Sequence, residues 1–413
     1  MPRETKRNGW TGGQYSLFRA LLGLYLFVHF AYLMPWAAEL FSSSGMLPVA
    51  SVSPLTRAFP NILSLYDAPG FVTLLAAAGA GAALAFAIGW RDRIAALVLW
   101  YILACFLGRN PLTLNPSLPY TGWMLLAHAV LPTAPFGAWN ARGRTDPAGA
   151  WYMPQQIFTA AWIVMALSYS FSGYTKLASP SWVSGENVSL VLQNPLARDW
   201  WLRDLFLALP PLLLKCITWL ILFAEITFAP LALSLRLRPW IWGLMFGVQL
   251  GFAMLLSFPD LTIAMLLFHL LTFDPRWLAA RSLAGVVVLF DGSCALCHGT
   301  VRFLLAEDTR HELTFAPIGG TTHRAVLGDI RPPESLIVYF PDGRKYFEAD
   351  AILLLLEHFG GLWRVVSWLC LANRRSFRNR AYRLVGRNRY RLFGTTATNC
   401  PRLSARLQSR VLA

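Results

Sequence analysis

Eight apolar blocks occupy residues 15–34, 70–89, 94–108, 120–136, 155–174, 212–235, 240–257 and 261–273, most of them close to bilayer length. A hydrocarbon core of about 30 Å takes roughly twenty helical residues to cross. Inside lipid the backbone finds no water to bond, so blocks of this kind fold as helices and pack into a bundle. With 56% of residues hydrophobic and 14% charged, an ordinary soluble globule is set aside. The pattern predicts a polytopic α-helical membrane bundle of about eight spans over residues 1–280.

Arg3, Lys6 and Arg7 precede the first block, as in a secretory signal, but Arg19 interrupts it and no convincing cleavage site follows. The expectation is an uncleaved anchor. Basic residues then recur in alternate connections: Arg91 and Arg93, Arg142 and Arg144, Arg236 and Arg238, Arg276 and Arg281. The intervening loops mix Arg57, Arg109, Lys176, Arg198 and Arg203 with acids. Excess arginine stays on the cytoplasmic side, so both termini are expected in the cytoplasm of an inner-membrane protein, with everything after about residue 274 cytosolic.

After residue 285 the periodicity changes. Strand 286–290, helix 294–306, strand 313–317, helix 319–327, strand 335–340, a Pro341-Asp342-Gly343 turn, strand 344–347 and helices from Ala349 follow in order. A βαβ unit, a hairpin and a helix make a small α/β domain of thioredoxin-like arrangement. Cys294-Ala295-Leu296-Cys297 falls at the end of the first strand and the start of the first helix. Unpaired N–H groups and the helix dipole favour a thiolate there, moving a thiol pKa from about 8.5 toward 7. Two sulfurs so spaced can attack a disulfide and resolve the mixed intermediate, Cys294 attacking and Cys297 resolving. In a reducing cytosol the pair rests as a dithiol. Cys105, Cys216, Cys370 and Cys400 have no spacing that suggests a metal site and are expected to be incidental thiols.

The string Phe290-Asp291-Gly292-Ser293-Cys294-Ala295-Leu296-Cys297, with Val301-Arg302-Phe303-Leu304-Leu305, Phe315-Ala316-Pro317 and Asn388-Arg389-Tyr390-Arg391-Leu392-Phe393-Gly394, resembles the DCC family of thiol-disulfide oxidoreductases. The resemblance covers residues 285–400, followed by a basic segment to 413, and implies a thioredoxin-like domain with a redox dithiol at Cys294 and Cys297. Asp291 is either a proton relay for exchange or a turn residue, Ser293 the expected helix cap, and His298 either an imidazolium beside the thiolate or a solvated position. The slot of a cis-proline falls near Ser335, with Pro332 and Pro333 just ahead, and is left unassigned. Cys294 to His298 also spells the covalent haem motif, which the cytosolic placement disfavours.

Ser172-Gly173-Tyr174-Thr175-Lys176-Leu177, with Trp182-Val183 and Gly185, is similar to a pattern of the HTTM domain, a family that includes the vitamin K-dependent gamma-carboxylase. That resemblance extends over residues 15–280 and implies that Lys176 occupies the place of the lysine acting as base on reduced vitamin K. Desolvation suits a membrane-boundary lysine to such work, the alternative being an interfacial anchor. His128 falls out of register with the family's pattern, and Gln249 stands where a later histidine is expected.

Glu225 is costly to place in lipid, by roughly 2.5–3.5 kcal/mol when ionised at a helix centre, so it should be protonated or face a partner such as Arg19 or Lys176. Glu225 and Gln249 are the candidate cofactor-binding residues, for a lipid-soluble quinone. His29, His128 and His269 are expected to be satisfied between helices, and Trp90, Trp151 and Trp240 to lie in interfacial belts. From Arg364 onward twelve arginines and no acid supply +12 of the chain's +15 formal charge. Interleaved with Phe377, Tyr382, Leu384, Tyr390, Leu392 and Phe393, they predict an amphipathic helix on anionic lipid, with no nucleic-acid partner.

Two functions follow as expectations. In one, a membrane-bound oxidoreductase exchanges its cytosolic dithiol with a protein or small-molecule disulfide, coupled to a quinone in the bundle. In the other, the bundle is a gamma-carboxylase-like enzyme acting on a quinone or lipid, and the dithiol domain regulates it.

Overall fold

The computed structural model describes residues 8–49, 53–55, 59–328, 336–398 and 400–413. Arg3, Lys6, Arg7, Arg57, Pro332, Pro333 and Ser335 lie outside the described residues. Two compact units emerge: Phe18–Leu131 with Pro154–Phe273, and Met1–Leu17 with Pro132–Met153 and Asp274–Ala413.

The first unit is helical. Its longer helices are α1 (Gly12–Leu33) from Phe18 onward, continued by short α2 (Ala37–Phe41), then α3 (Pro69–Ile88), α4 (Asp92–Arg109), α5 (Leu118–Val130) and α6 (Gln155–Lys176). Short α7 (Pro180–Val183), α8 (Asn187–Gln193) and α9 (Trp201–Leu207) lead to α10 (Pro211–Leu233), α11 (Arg238–Leu255) and α12 (Pro259–Thr272). Each of the eight apolar blocks is thus helical. Yet only Gly12–Phe41, Pro69–Ile88, Gln155–Lys176 and Pro211–Leu233 are long and apolar enough to cross a membrane, which corrects the expected eight spans to four candidates among the described residues. Length is the reason at α5 and α12, whose 13 and 14 residues rise only about 20 Å. In α4 the charges Asp92, Arg93 and Arg109 dilute an 18-residue helix, and in α11 Arg238, Gln249 and three glycines do so.

Small residues let these helices approach closely, as they do in lipid where packing replaces the hydrophobic drive. A Cβ at Gly79 would meet the Phe30 ring at 2.7 Å, and one at Gly173 would meet the Ile226 nitrogen at 2.5 Å. Buried polar groups pair between helices. Arg19 bonds Asp92 at 3.4 Å, so it is not the partner of Glu225, and Arg109 bonds Asp67 at 2.9 Å. His29 meets Asp260 at 3.0 Å, His128 lies 3.7 Å from Asp92, and His269 lies 3.4 Å from the Tyr169 hydroxyl. Trp90 and Trp240 are exposed.

The second unit carries a four-stranded mixed sheet, with strands β1 (Val287–Phe290), β2 (Thr314–Pro317), β3 (Ile337–Tyr339) and β4 (Lys345–Phe347) in the order β2-β1-β3-β4. β1 and β2 run parallel, pairing Val288 with Phe315, whereas β3 is antiparallel to β1 and β4 to β3. Helices α13 (Ala295–Glu307), α14 (Thr321–Leu327), α15 (Glu348–Phe359), α16 (Gly361–Leu371), α17 (Arg375–Phe393) and α18 (Ala405–Gln408) complete it. The order matches the predicted βαβ, hairpin and helix, with edges shifted by one or two residues. β1 is apolar throughout because both its faces are covered. Val288 and Phe290 pack with Val301, Leu304 and Leu355, and Leu289 packs on the other side with Ala316, Leu327 and Ile337. Trp151 also belongs to this unit. Buried and stacked on Tyr15 at 5.1 Å, it is a core residue and not a belt residue.

Candidate functional site

β1 ends at Phe290 and α13 begins at Ala295, so Asp291, Gly292, Ser293 and Cys294 form the turn that carries the dithiol. Asp291 Oδ1 accepts the Ser293 N–H at 2.9 Å and the Ser293 hydroxyl at 2.8 Å, an Asx turn that fixes the loop. Ser293 is therefore not the helix cap. Cys294 takes that place, its sulfur accepting the Cys297 N–H at 3.4 Å.

The two sulfurs differ in environment. Cys294 is fully buried, while Cys297 is half-buried and faces a cavity. A strap of backbone from Gly394 to Thr396 crosses the turn: the Ala295 N–H donates to Gly394 O at 3.3 Å and the Thr396 N–H to Ser293 O at 2.9 Å. Cys294 and Thr395 form an antiparallel bridge within it. Burial pushes the Cys297 thiol up to about 12, helped by its hydrogen bond to Cys294 and by the charge there, against the Arg389 guanidinium. The expected drop of thiol pKa toward 7 thus fails at Cys297, where desolvation outweighs the helix terminus.

Asp291 holds more than the turn. Its Oδ2 accepts from Arg389 at 2.6 Å and from the Tyr390 hydroxyl, both delivered by the last turns of α17. Burial works against the charge, but the bonds from Tyr390, Ser293 and Arg389 outweigh it and hold the carboxyl below its ordinary value. Asp291 is thereby a fixed anion at neutral pH, engaged from two sides. His298 is neither solvated nor an imidazolium. Its ring is buried and its Nε2 donates to Gly292 O at 2.8 Å, and burial lowers its pKa below the usual histidine value.

The cavity at Cys297 has a volume of about 460 Å³. Leu296, Leu336, Ile352 and Phe377 are among its apolar walls, and Asp291, Arg378 and Arg389 bring charge to it. Cys370, expected to be incidental, lines the same cavity.

Lys176, Glu225 and Gln249 come together in the other unit, around a cavity of about 810 Å³ that Tyr120, Phe171 and Phe252 also line. Lys176 Nζ bonds both carboxylate oxygens of Glu225 and the Ser172 hydroxyl at 3.2 Å. Gln249 Nε2 donates to the Tyr169 hydroxyl at 3.0 Å, whereas its buried Oε1 has no partner among the described residues. The dithiol and this cavity lie in different units.

Arg389 and Tyr390 were missed as site residues by sequence reasoning, although they lie in the Asn388–Gly394 string that carried the resemblance. Their signal was masked by the arginine run around them.

A family model described as DCC1-like thiol-disulfide oxidoreductase matches residues 288–395. The uncharacterized protein YuxK of Bacillus subtilis is 31% identical over 111 residues, which are 26% of this chain and 80% of that protein. A chloroplastic DCC family protein of Arabidopsis thaliana is 25% identical over 111 residues, 26% of this chain and 64% of its own length. No solved structure matches the chain. A dithiol between β1 and α13, the Asx turn before it and a family match spanning both converge: through residues 288–395 the chain belongs to the DCC1-like thiol-disulfide oxidoreductase family.

Proposed function

We propose that this chain is a membrane-embedded oxidoreductase with a thioredoxin-like domain that cycles Cys294 and Cys297 between dithiol and disulfide. The observation that carries it is the pair of sulfurs at the start of α13, Cys294 Sγ accepting the Cys297 N–H to cap the helix and Cys297 opening on a cavity. A sulfur at a helix N-terminus is a good leaving group, because the Cys297 N–H meets the charge it acquires. Asp291 orders the turn, and Arg389 sets positive charge beside Cys297.

Four bilayer-length helices support the membrane location, and the arginine-rich connections support cytoplasmic termini at the inner membrane. On α17, exposed Phe377, Leu384 and Leu392 alternate with exposed Arg380, Arg387 and Arg391, a surface suited to anionic lipid rather than nucleic acid.

The bundle cavity favours a second reading, in which a lipid-soluble quinone binds at Lys176, Glu225 and Gln249, as the HTTM-like pattern around Lys176 implies. The residues fit such a group: aromatic walls suit the ring, and the unpartnered Gln249 Oε1 suits a hydroxyl of the reduced form. A bound quinone would supply two-electron chemistry in the membrane. Lys176 and Glu225 would hold a proton at that end of the cavity.

The test uses the full chain in detergent. Reduced protein is mixed with a disulfide and the released thiol is measured, with Cys294→Ser and Cys297→Ser as controls. Stoichiometric release by the native chain, with loss of the Cys294–Cys297 disulfide product in both variants, is expected. No release above a control lacking protein would overturn the exchange function. Lys176→Ala should leave this release intact and abolish activity on a quinone; equal loss of both would contradict the second reading.

A further inference from the structure

We infer that the mixed disulfide forms on Cys297, and that the cavity there selects a small apolar disulfide bearing an anionic group. This rests on the exchange function proposed above and specifies its substrate class.

Accessibility gives the order. Cys294 is fully buried beneath its own turn, and the Gly394–Thr396 strap is bonded across that turn, whereas Cys297 opens on the cavity. A substrate sulfur reaches Cys297 without displacing the strap. The sequence expectation had Cys294 attacking. Burial assigns it the resolving role, and the cap geometry suits that role, since the charge of a departing or resolving thiolate at Cys294 is met by the Cys297 N–H.

The cavity lining gives the substrate. A volume of about 460 Å³ holds one arm of a small disulfide and not a folded protein surface. Its walls are mainly apolar, with Thr300, Asn373 and Tyr382 adding polar groups and Asp291, Arg378 and Arg389 adding charge. Asp291 is already engaged by Arg389, Tyr390 and Ser293. Arg378 is different. Its nearest carboxylate, Asp350, lies 3.7 Å away and is shared with Arg375 at 2.6 Å, and its buried Nε and Nη1 have no hydrogen-bond partner among the described residues. A mostly buried guanidinium with unmet donors is costly to leave so, and a carboxylate matches its fork. The occupant that meets both lining and charge is an aryl or alkyl disulfide with a carboxylate or similar anion on its apolar arm.

The step balances. Cys297 gives its S–H proton to solvent, and its thiolate attacks one sulfur of R–S–S–R. A Cys297–S–S–R bond forms, the substrate S–S bond breaks, and R–S⁻ leaves and takes a proton from solvent. Cys294 then gives its proton to solvent and its thiolate attacks the Cys297 sulfur: the Cys294–Cys297 bond forms, the bond from Cys297 to the substrate sulfur breaks, and the second R–S⁻ leaves and takes a proton from solvent. Two electrons pass from the dithiol to the substrate.

Reduced full-length protein is reacted with dithionitrobenzoate (anionic aryl), dithiodipyridine (neutral aryl) and cystamine (cationic), each rate being divided by that of free dithiothreitol. With Cys294→Ser, mass spectrometry should find a stable adduct on Cys297, and with Cys297→Ser no adduct on Cys294. The normalised rates should fall in the order anionic, neutral, cationic. Arg378→Gln should cut the anionic-to-neutral ratio about tenfold, the worth of one charge-assisted bond, and Arg378→Lys should restore part of it. An adduct on Cys294, or an anionic preference that is absent or survives Arg378→Gln, would overturn this inference while leaving exchange itself standing. Failure to react with any of the three disulfides would instead sink the exchange function.

Discussion

The two units house buried charge in different ways. In the sheet-bearing unit each buried acid is surrounded by donors: Asp308 accepts from the Leu313 and Glu312 amides, from His358 at 3.2 Å and from Arg410. Glu307 is likewise held by Thr11, the Gly13 amide and Trp363. In the helical unit Glu225 meets Lys176 as its donor among the described residues. A small α/β domain has amides and loops at hand to solvate a carboxylate. A helix bundle has its backbone already bonded and must use a side chain from the next helix. Loss of one partner should therefore be severe in the bundle and mild in the redox unit.

The sharpest way to break this contrast is Lys176→Met, which strands Glu225. A cost of about 3–5 kcal/mol is expected, read as a fall in thermal midpoint in detergent, with Lys176→Met/Glu225→Leu recovering most of it. A double variant no more stable than the single one would contradict the paired-charge account. Gly173→Ala comes next. Its Cβ would meet the Ile226 nitrogen at 2.5 Å, so the α6–α10 contact must open, at a cost of about 1–3 kcal/mol. An unchanged midpoint would show that the close approach is dispensable.

In the redox unit the matching effect is one of pH. Burial opposes ionisation of Asp308, but His358, the Leu313 amide and Arg410 outweigh it and hold its pKa at about 2. A depressed folded-state pKa stabilises above the unfolded carboxylate value of about 4 and is lost as pH falls through the folded value. The contribution, on the order of 2 kcal/mol, should disappear from native protein between about pH 4 and pH 2 and be missing already at neutral pH in Asp308→Asn. Arg410→Gln, which leaves the other donors in place, should cost only about 1 kcal/mol. The smallest effect concerns Cys297. Arg389→Gln removes the cation that favours its thiolate, so alkylation at fixed pH should slow by a factor of roughly three; faster alkylation would show that release of Asp291 matters more.

Legibility in the sequence follows the same division. The strand, turn and helix around Cys294 were readable because a short apolar run, an Asp-Gly pair and a helical period are local signals. So were the helical nature of each apolar block and the need of Glu225 for a cationic partner, though not the choice of Lys176 over Arg19, which pairs with Asp92. Span number was not, since whether 13 or 18 apolar residues cross a bilayer depends on where the helix ends and which charges fall within it. Nor was the burial of Cys294, which depends on bonds from Gly394 and Thr396, a hundred residues away. The arginine run reads locally as a lipid-facing surface, yet Arg375, Arg378, Arg383, Arg389 and Arg410 pair with Asp350, Glu348, Asp291 and Asp308 of their own unit.

The most direct test of the central claim is a redox titration of the full chain in detergent against glutathione buffers, with the state of Cys294 and Cys297 read by the mass added on alkylation. A single reversible two-electron transition within reach of the thioredoxin value of about −270 mV, absent in both Cys294→Ser and Cys297→Ser, is the predicted result. Sulfurs that remain alkylatable at every potential, or that never react, would contradict it.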